Sequence, residues 1–354
     1  MRFHLLFALA FVATGARASS VSNELSSNST QATETNPRAG NVADALNATF
    51  DLSDNWALNA GASLTAEGQT PALQRGAFGS SGNAVTSFSL GIDWQPSDAW
   101  TTGLSVDLSP ESTQSTGTQV QITTAGTAAD ALLRSKSSSF EAGLDVSYDT
   151  SGESNLEWSF GGGVSTTHLS TDQQITRVRA KNGTASSPTE IRNYCTSHPK
   201  KCSRSVLAAL RAKTGVTLDS QKLNAAVTAI LAKNTDLTLS GDYYIYDQDP
   251  TQVGYYSVAR VGRVGNGLNI APLQFSVRPE VTHRFGDFSA KVWVQAGQYV
   301  SGAGQSTAGL GLRLQYKFTK AFKLWATASG RRDVDEQSNT TNSSSISLGA
   351  GYRF

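Results

Sequence analysis

The side chains best suited to chemistry are few and widely spaced. Cys195 and Cys202 are the only cysteines among 354 residues. With His198 between them they offer two thiolates and one imidazole, one ligand short of a closed zinc site. In an oxidising compartment the same pair reads as a disulfide closing a small loop over 196–201. His168 and His283 have no serine or carboxylate at strand spacing that would build a hydrolytic triad. No catalytic residue and no metal site is therefore assigned. No Walker, Rossmann or zinc-type motif is present, so no cofactor is expected. What is abundant is charge set between apolar neighbours. Asp107, Glu141, Asp145, Glu157 and Asp242 come first along the chain, and Arg278, Lys291, Arg313 and Arg331 follow them. Such charges catalyse nothing on their own. Gathered on one surface, they set up a field that orients polar solutes and selects ions.

The elements that must carry these charges are strands. Apolar residues recur at every second position, and successive side chains of a strand point to opposite faces. Phe88, Leu90, Ile92 and Trp94 alternate with polar residues, then a Gln95-Pro96-Ser97-Asp98 turn leads to Trp100, Thr102, Leu104, Val106 and Leu108. The pattern recurs at Phe140–Tyr148, Leu223–Leu231, Leu237–Ile245, Phe275–Phe285, Phe288–Val294, Leu310–Phe318 and Phe322–Ala328. Tight turns, such as Gly286-Asp287 and Thr319-Lys320, alternate with long polar connections. Aromatic residues gather beside the tight turns: Trp56, Trp94, Trp100, Tyr148, Phe285, Phe288, Phe318 and Phe322.

The chain ends I-S-L-G-A-G-Y-R-F, with Ile346, Leu348, Ala350, Tyr352 and Phe354 on one face. This strand, the turn asymmetry and the aromatic clusters resemble the Gram-negative outer-membrane β-barrel proteins, porin-like and transporter barrels among them. The resemblance implies an all-β, transmembrane, antiparallel up-and-down barrel with short periplasmic turns and long extracellular loops. It also implies that Tyr352 and Phe354 form the signal read by the barrel-assembly machinery. Thirteen strands are evident. An even number is expected of such a barrel, so 14 are expected if a weak strand lies between Ser19 and Ala45, and 12 if one assignment is spurious. Residues 1–18, with Arg2, an apolar run and Ala16-Arg17-Ala18, read as a signal peptide. Residues 19–44 read as a flexible segment holding the weak strand or a plug, and 45–354 as the barrel. The longest extracellular insertion is placed at 170–220, with a short helix expected over 204–213.

Composition agrees with this class. The chain holds 32 Gly, 16% charged residues and a net charge of +1, which gives no basis for nucleic-acid binding. Its mean hydropathy of −0.27 suits a barrel, where only alternate residues meet lipid. With apolar rows toward lipid, the charged rows face the lumen. An acidic early wall then faces a basic late wall. Asp51, Asp93, Asp149, Arg284, Lys317, Lys323 and Arg353 extend the two walls toward the turns. Gly61, Gly103, Gly143, Gly161, Gly163, Gly311, Gly349 and Gly351 remove bulk from the bore. The expected function is a channel for small hydrophilic solutes. The alternative is a closed structural barrel whose loops bind a surface partner or lipopolysaccharide. Lipid, lipopolysaccharide and the assembly machinery are the other expected partners. Nothing in the sequence specifies an oligomeric state.

Overall fold

The computed structural model describes residues 19–30, 39–67, 81–82, 85–121, 128–150, 157–179, 185–199, 214–250, 273–300, 306–334 and 340–354. The expected signal peptide and the helix expected over 204–213 lie outside these residues. The early strands are β1 (Ser20–Thr30), β2 (Ala39–Ser53), β3 (Trp56–Glu67), the two-residue β4 (Ser81–Gly82) and β5 (Val85–Ser97). A tall group follows: β6 (Trp100–Gln121), β7 (Ala128–Asp149), β8 (Glu157–Arg179), the two-residue β9 (Ala185–Ser186) and β10 (Thr214–Ala232). The last third holds β11 (Thr235–Tyr246), β12 (Leu273–Phe285), β13 (Phe288–Tyr299), β14 (Ser306–Lys317), β15 (Phe322–Val334) and β16 (Thr340–Arg353). Every pairing is antiparallel, β8 joins β10, and β16 joins β1. Leaving out β4 and β9, this is a closed barrel of 14 strands.

The segment expected to be flexible over 19–44 is thus mostly barrel wall. Ser20–Thr30 is the closing strand and residues 39–44 open β2. Its weakness in sequence has a physical origin. The outward row of β1 is Val21, Asn23, Leu25, Ser27 and Ser29, far less apolar than its neighbours. Asn23 Nδ2 donates to Asp44 Oδ1 at 2.6 Å, which satisfies polar groups on that face. The chain ends meet at this seam, where Phe354 N donates to Ser19 O at 3.0 Å.

Apolar rows face outward. Ile346 and Leu348 are 63% and 62% exposed, while Ser347 between them is 6% exposed. Leu104, Leu90, Leu310 and Phe160 lie bare in the same way. A continuous apolar band with no protein over it fits a surrounding lipid phase and not water. Aromatic pairs ring its short-turn end: Trp56 on Trp94 at 5.8 Å, Trp100 on Tyr148 at 4.7 Å and Phe285 on Phe288 at 6.1 Å. Such amphipathic rings sit well at a membrane boundary. Gly286 takes φ +65° in the β12–β13 turn, a conformation that disfavours any residue with a Cβ.

β6, β7 and β8 contain 22, 22 and 23 residues, against about 9–11 needed to cross the membrane. The long polar connection after Leu108 is in large part strand, and the insertion placed at 170–220 holds strand at 170–179 and 214–220, extending beyond the apolar band. Outside lipid no apolar outward row is required, so polar residues stand at outward positions as well and the alternation vanishes. The β6–β7 register slips between Ser109 and Ser112, where Pro110 cannot donate to the ladder. Beyond the tall strands lies helix α1 (Pro188–Ser197). Ser187 caps it: Ser187 Oγ accepts from Glu190 N at 3.2 Å, and Glu190 Oε2 accepts from Ser187 N at 2.7 Å. This capping box stabilises both first-turn donors. The helix packs against β8. On the inner face of this upper wall Leu169, Ile175, Val178 and Leu218 are almost fully buried, as is Cys195.

Candidate functional site in the lumen

Strand parity and register carry the charged rows to the inside. On β6 and β7, Asp107 stands directly opposite Glu141. Lys222 on β10 lies 3.7 Å from Glu141 and offsets part of that charge. Asp145 accepts from Asn224 Nδ2 at 3.2 Å, and Asp242 accepts from Ser276 Oγ at 3.1 Å. Asp93 accepts from Asn59 Nδ2 at 2.6 Å, and Asn59 in turn accepts from Thr49 Oγ1 at 2.9 Å. These carboxylates accept hydrogen bonds from neighbouring amides and hydroxyls. Glu157 opens β8 in register with Ile230; its side chain lies outside those described. Asp93 and Asp145 border a cavity of about 570 Å³ lined by Asn47, Asn59, Ser89, Thr101, Ser105 and Asn224, among others.

The opposite wall, β12 to β16, is basic but less uniformly so than the sequence suggests. Glu280 holds Arg278 at 2.9 Å and Lys291 at 2.5 Å, and Asp333 holds Arg331 at 3.1 Å. Arg284 pairs with Asp236. Arg313 has no acidic partner among the described residues. Its guanidinium lies 4.8 Å from the ring centre of Trp325, which Lys323 also approaches at 5.7 Å. Arg278 lies over Trp293 in the same way, at 4.6 Å.

The sequence reading singles out neither Trp293 nor Trp325, although their parity with Lys291 and Lys323 marks them as inward. Each lies flat over a glycine of the next strand. A Cβ on Gly311 would fall 2.0 Å from Trp293 Cζ2, and one on Gly349 would fall 2.2 Å from Trp325 Cε2. Trp325 reaches across β16 and donates its Nε1–H to Glu24 Oε2 on β1 at 2.8 Å. Gly311 and Gly349 therefore do not leave the bore empty, as their size suggests. They are seats for indole rings. On the acidic side the glycines seat smaller neighbours: a Cβ at Gly103 would meet Asp93 Oδ1 at 2.9 Å.

The histidines gain partners only through register. His168 Nδ1 lies 2.6 Å from Asp219 Oδ1 across β8–β10, and His283 Nδ1 lies 2.7 Å from Thr235 Oγ1 across β11–β12. Both sit on the outward row, away from the lumen. Cys195 is not a free thiol; its expected partner Cys202 lies outside the described residues. Among the described residues no three metal-ligating side chains gather.

No protein-family model matches the chain, and no curated protein sequence matches it. Solved structures do. A Pseudomonas aeruginosa FadL homologue superposes with a TM-score of 0.57 at 10% identity, covering 96% of this chain and 91% of that one. The Ralstonia pickettii toluene transporter TbuX gives 0.55 at 11%, covering 95% and 88%. The CymD monoaromatic hydrocarbon channel gives 0.54 at 11%, covering 96% and 89%. At such identities the likeness establishes the fold, a closed 14-strand barrel of the outer-membrane type.

Proposed function

We propose that this barrel is an outer-membrane channel for small hydrophilic solutes. The observation that carries the reading is the division of the lumen wall. Carboxylates that accept from amides line one side, and cations over indoles line the other. Between them the wall carries serine, threonine, asparagine and glycine, as at Asn47, Asn59, Ser89, Gly91, Thr101 and Ser105. A polar wall of this kind hydrates, and a hydrated bore admits solutes that carry charge or hydrogen-bonding groups. The cargo named for the toluene and hydrocarbon channels fits less well. Both lumenal indoles carry a cation on the ring, so neither offers a bare apolar face to a hydrocarbon.

The test is single-channel current through the refolded mature protein in a planar bilayer under a salt gradient. Discrete steps with a reversal potential away from zero are the expected result. Silence from protein shown to be folded by heat-modifiable gel migration overturns the reading. A closed barrel that binds lipopolysaccharide or a surface partner then takes its place. That second reading draws on Leu169, Ile175, Val178 and Leu218, almost fully buried on the tall strands beside α1.

Two further roles are part of the proposal. The chain is exported by a cleaved signal and assembled through Tyr352 and Phe354. Phe354 is outward, exposed, and edge-on to Tyr352 at 5.0 Å, which leaves both rings open to recognition. Cys195 and Cys202 bridge and pin the end of α1.

A further inference from the structure

The two lumenal tryptophans carry cations of different electrostatic status. At Trp293 the stacked Arg278 shares Glu280 with Lys291, so the positive charge is answered by a carboxylate that is itself largely buried. At Trp325 two cations, Arg313 and Lys323, approach one ring, and neither has an acidic partner among the described residues. The one carboxylate at this ring, Glu24, is engaged by the indole Nε1–H at 2.8 Å.

Like charges gathered beside one ring repel, and the ring's attraction for each is modest. An anion between them removes the repulsion and gains charge-assisted hydrogen bonds. Trp325 is 7% exposed, seated on Gly349 and tied to β1, so it fixes its cations against a rigid floor. Lys323 is exposed to the lumen and its stem lies along Gly351. Arg313 lies over the ring by its guanidinium carbon, and the planar fork of N–H groups on a guanidinium matches two oxygens of one acid group.

We propose that Arg313 and Lys323, seated on Trp325, form a lumenal binding site for a small oxyanion, a carboxylate or a phosphate. The site rests on the channel reading and supplies its solute class: solutes bearing an acid group pause here on their way through. The ring itself is covered by the cations, so the site selects for the acid group and not for an apolar body.

The test uses chloride current through the refolded full-length mature barrel, with potassium acetate or potassium phosphate added at constant ionic strength. Either anion is expected to reduce the chloride current in a saturable way. In the R313Q/K323Q double variant the half-blocking concentration is expected to rise about tenfold, the loss typical of a charge-assisted hydrogen bond. K233Q, in the β10–β11 turn and outside the lumen wall, keeps the wild-type value. Block by phosphate alone assigns phosphate, and block by both assigns the acid group in general. Equal block in wild type and the double variant overturns the site.

A second readout does not need conduction, so failure of the channel and failure of the site are separable. Trp56, Trp94, Trp100 and Trp158 face the detergent, leaving Trp293 and Trp325 inside. Acetate or phosphate is expected to protect wild-type fluorescence against iodide quenching, and this protection is lost in R313Q/K323Q. Absence of protection in the wild type overturns the site whether or not the barrel conducts.

Discussion

On β5 to β8 the lumen wall is made of glycine, serine and carboxylates that fold sideways onto their neighbours. On β13 to β16 the same period-two pattern seats two indoles over glycines and lays cations on them. The two walls hold their charges by different means. The acidic wall uses small residues and flexible side chains, so it can yield when disturbed. The basic wall uses rigid rings in fitted seats, and the ring over Gly349 also ties β15 across β16 to β1 at the closing seam. A glycine in this molecule therefore has a meaning only through what lies on it. At Gly103 it is a carboxylate that can rotate. At Gly349 it is a ring with nowhere to go.

Substitution at these two glycines gives the largest contrast. A Cβ at Gly349 comes within 2.2 to 2.4 Å of three atoms of Trp325. Gly349→Val is expected to cost about 3 kcal/mol, the upper part of the overpacking range, and to break the Glu24 bond at the seam. Gly103→Ala meets one rotatable carboxylate oxygen, and its change is expected within about 0.5 kcal/mol, as for an ordinary surface site. Urea unfolding followed by heat-modifiable migration measures both. Equal losses would erase the distinction between a rigid and a yielding wall.

The next effect isolates the answered rung. Glu280→Gln keeps the shape of the side chain and leaves Arg278 and Lys291 as adjacent unpaired cations. Breaking a fully buried pair costs about 3–5 kcal/mol. Here both cations are more than a third exposed, at 39% and 38%, and solvent screening lowers the expectation to about 1–2 kcal/mol. The same change should make the Trp293 rung resemble the Trp325 rung. In chloride current, Glu280→Gln is expected to add anion block where the wild type shows none at that rung. An unchanged unfolding midpoint would show that Glu280 holds neither cation in solution.

The architecture is legible in the sequence because lipid imposes a strict period of two. The strands from Phe88 to Leu108 and from Phe275 to Ala328 announce themselves by apolar rows and tight turns. The inward parity of Asp107, Glu141, Arg278 and Arg313 follows from the same rows. The seam strand β1 is reached only by the parity of strand number, since Asn23, Ser27 and Ser29 break its outward row. The tall ends of β6 to β8 read as loops because no lipid face marks them. α1 escapes a period-two reading although Ser187, Pro188 and Glu190 spell its capping box. The rest is set by register between strands distant in sequence. No spacing within a strand shows that Lys222 meets Glu141, that Asp219 meets His168, or that Trp325 meets Glu24 some 300 positions earlier.

Charge changes across the two walls give the smaller effects. Neutralising Arg278, Lys291 and Arg313 together removes three cations from one wall. A unit charge at contact in water contributes about 1 kcal/mol, less in salt. The cation-to-anion permeability ratio is therefore expected to rise about threefold to tenfold, read as a shift in reversal potential. Asp93→Asn with Asp145→Asn removes two carboxylates from the cavity. Their amide partners Asn59 and Asn224 can re-form hydrogen bonds to the new amides, so the fold is undisturbed. The expected change runs the other way and is smaller, about twofold toward anions. The smaller size follows from number: two carboxylates are removed instead of three cations. If the two substitutions shift selectivity equally in opposite directions, the walls act as one averaged field and the seating of cations on indoles adds nothing to ion choice.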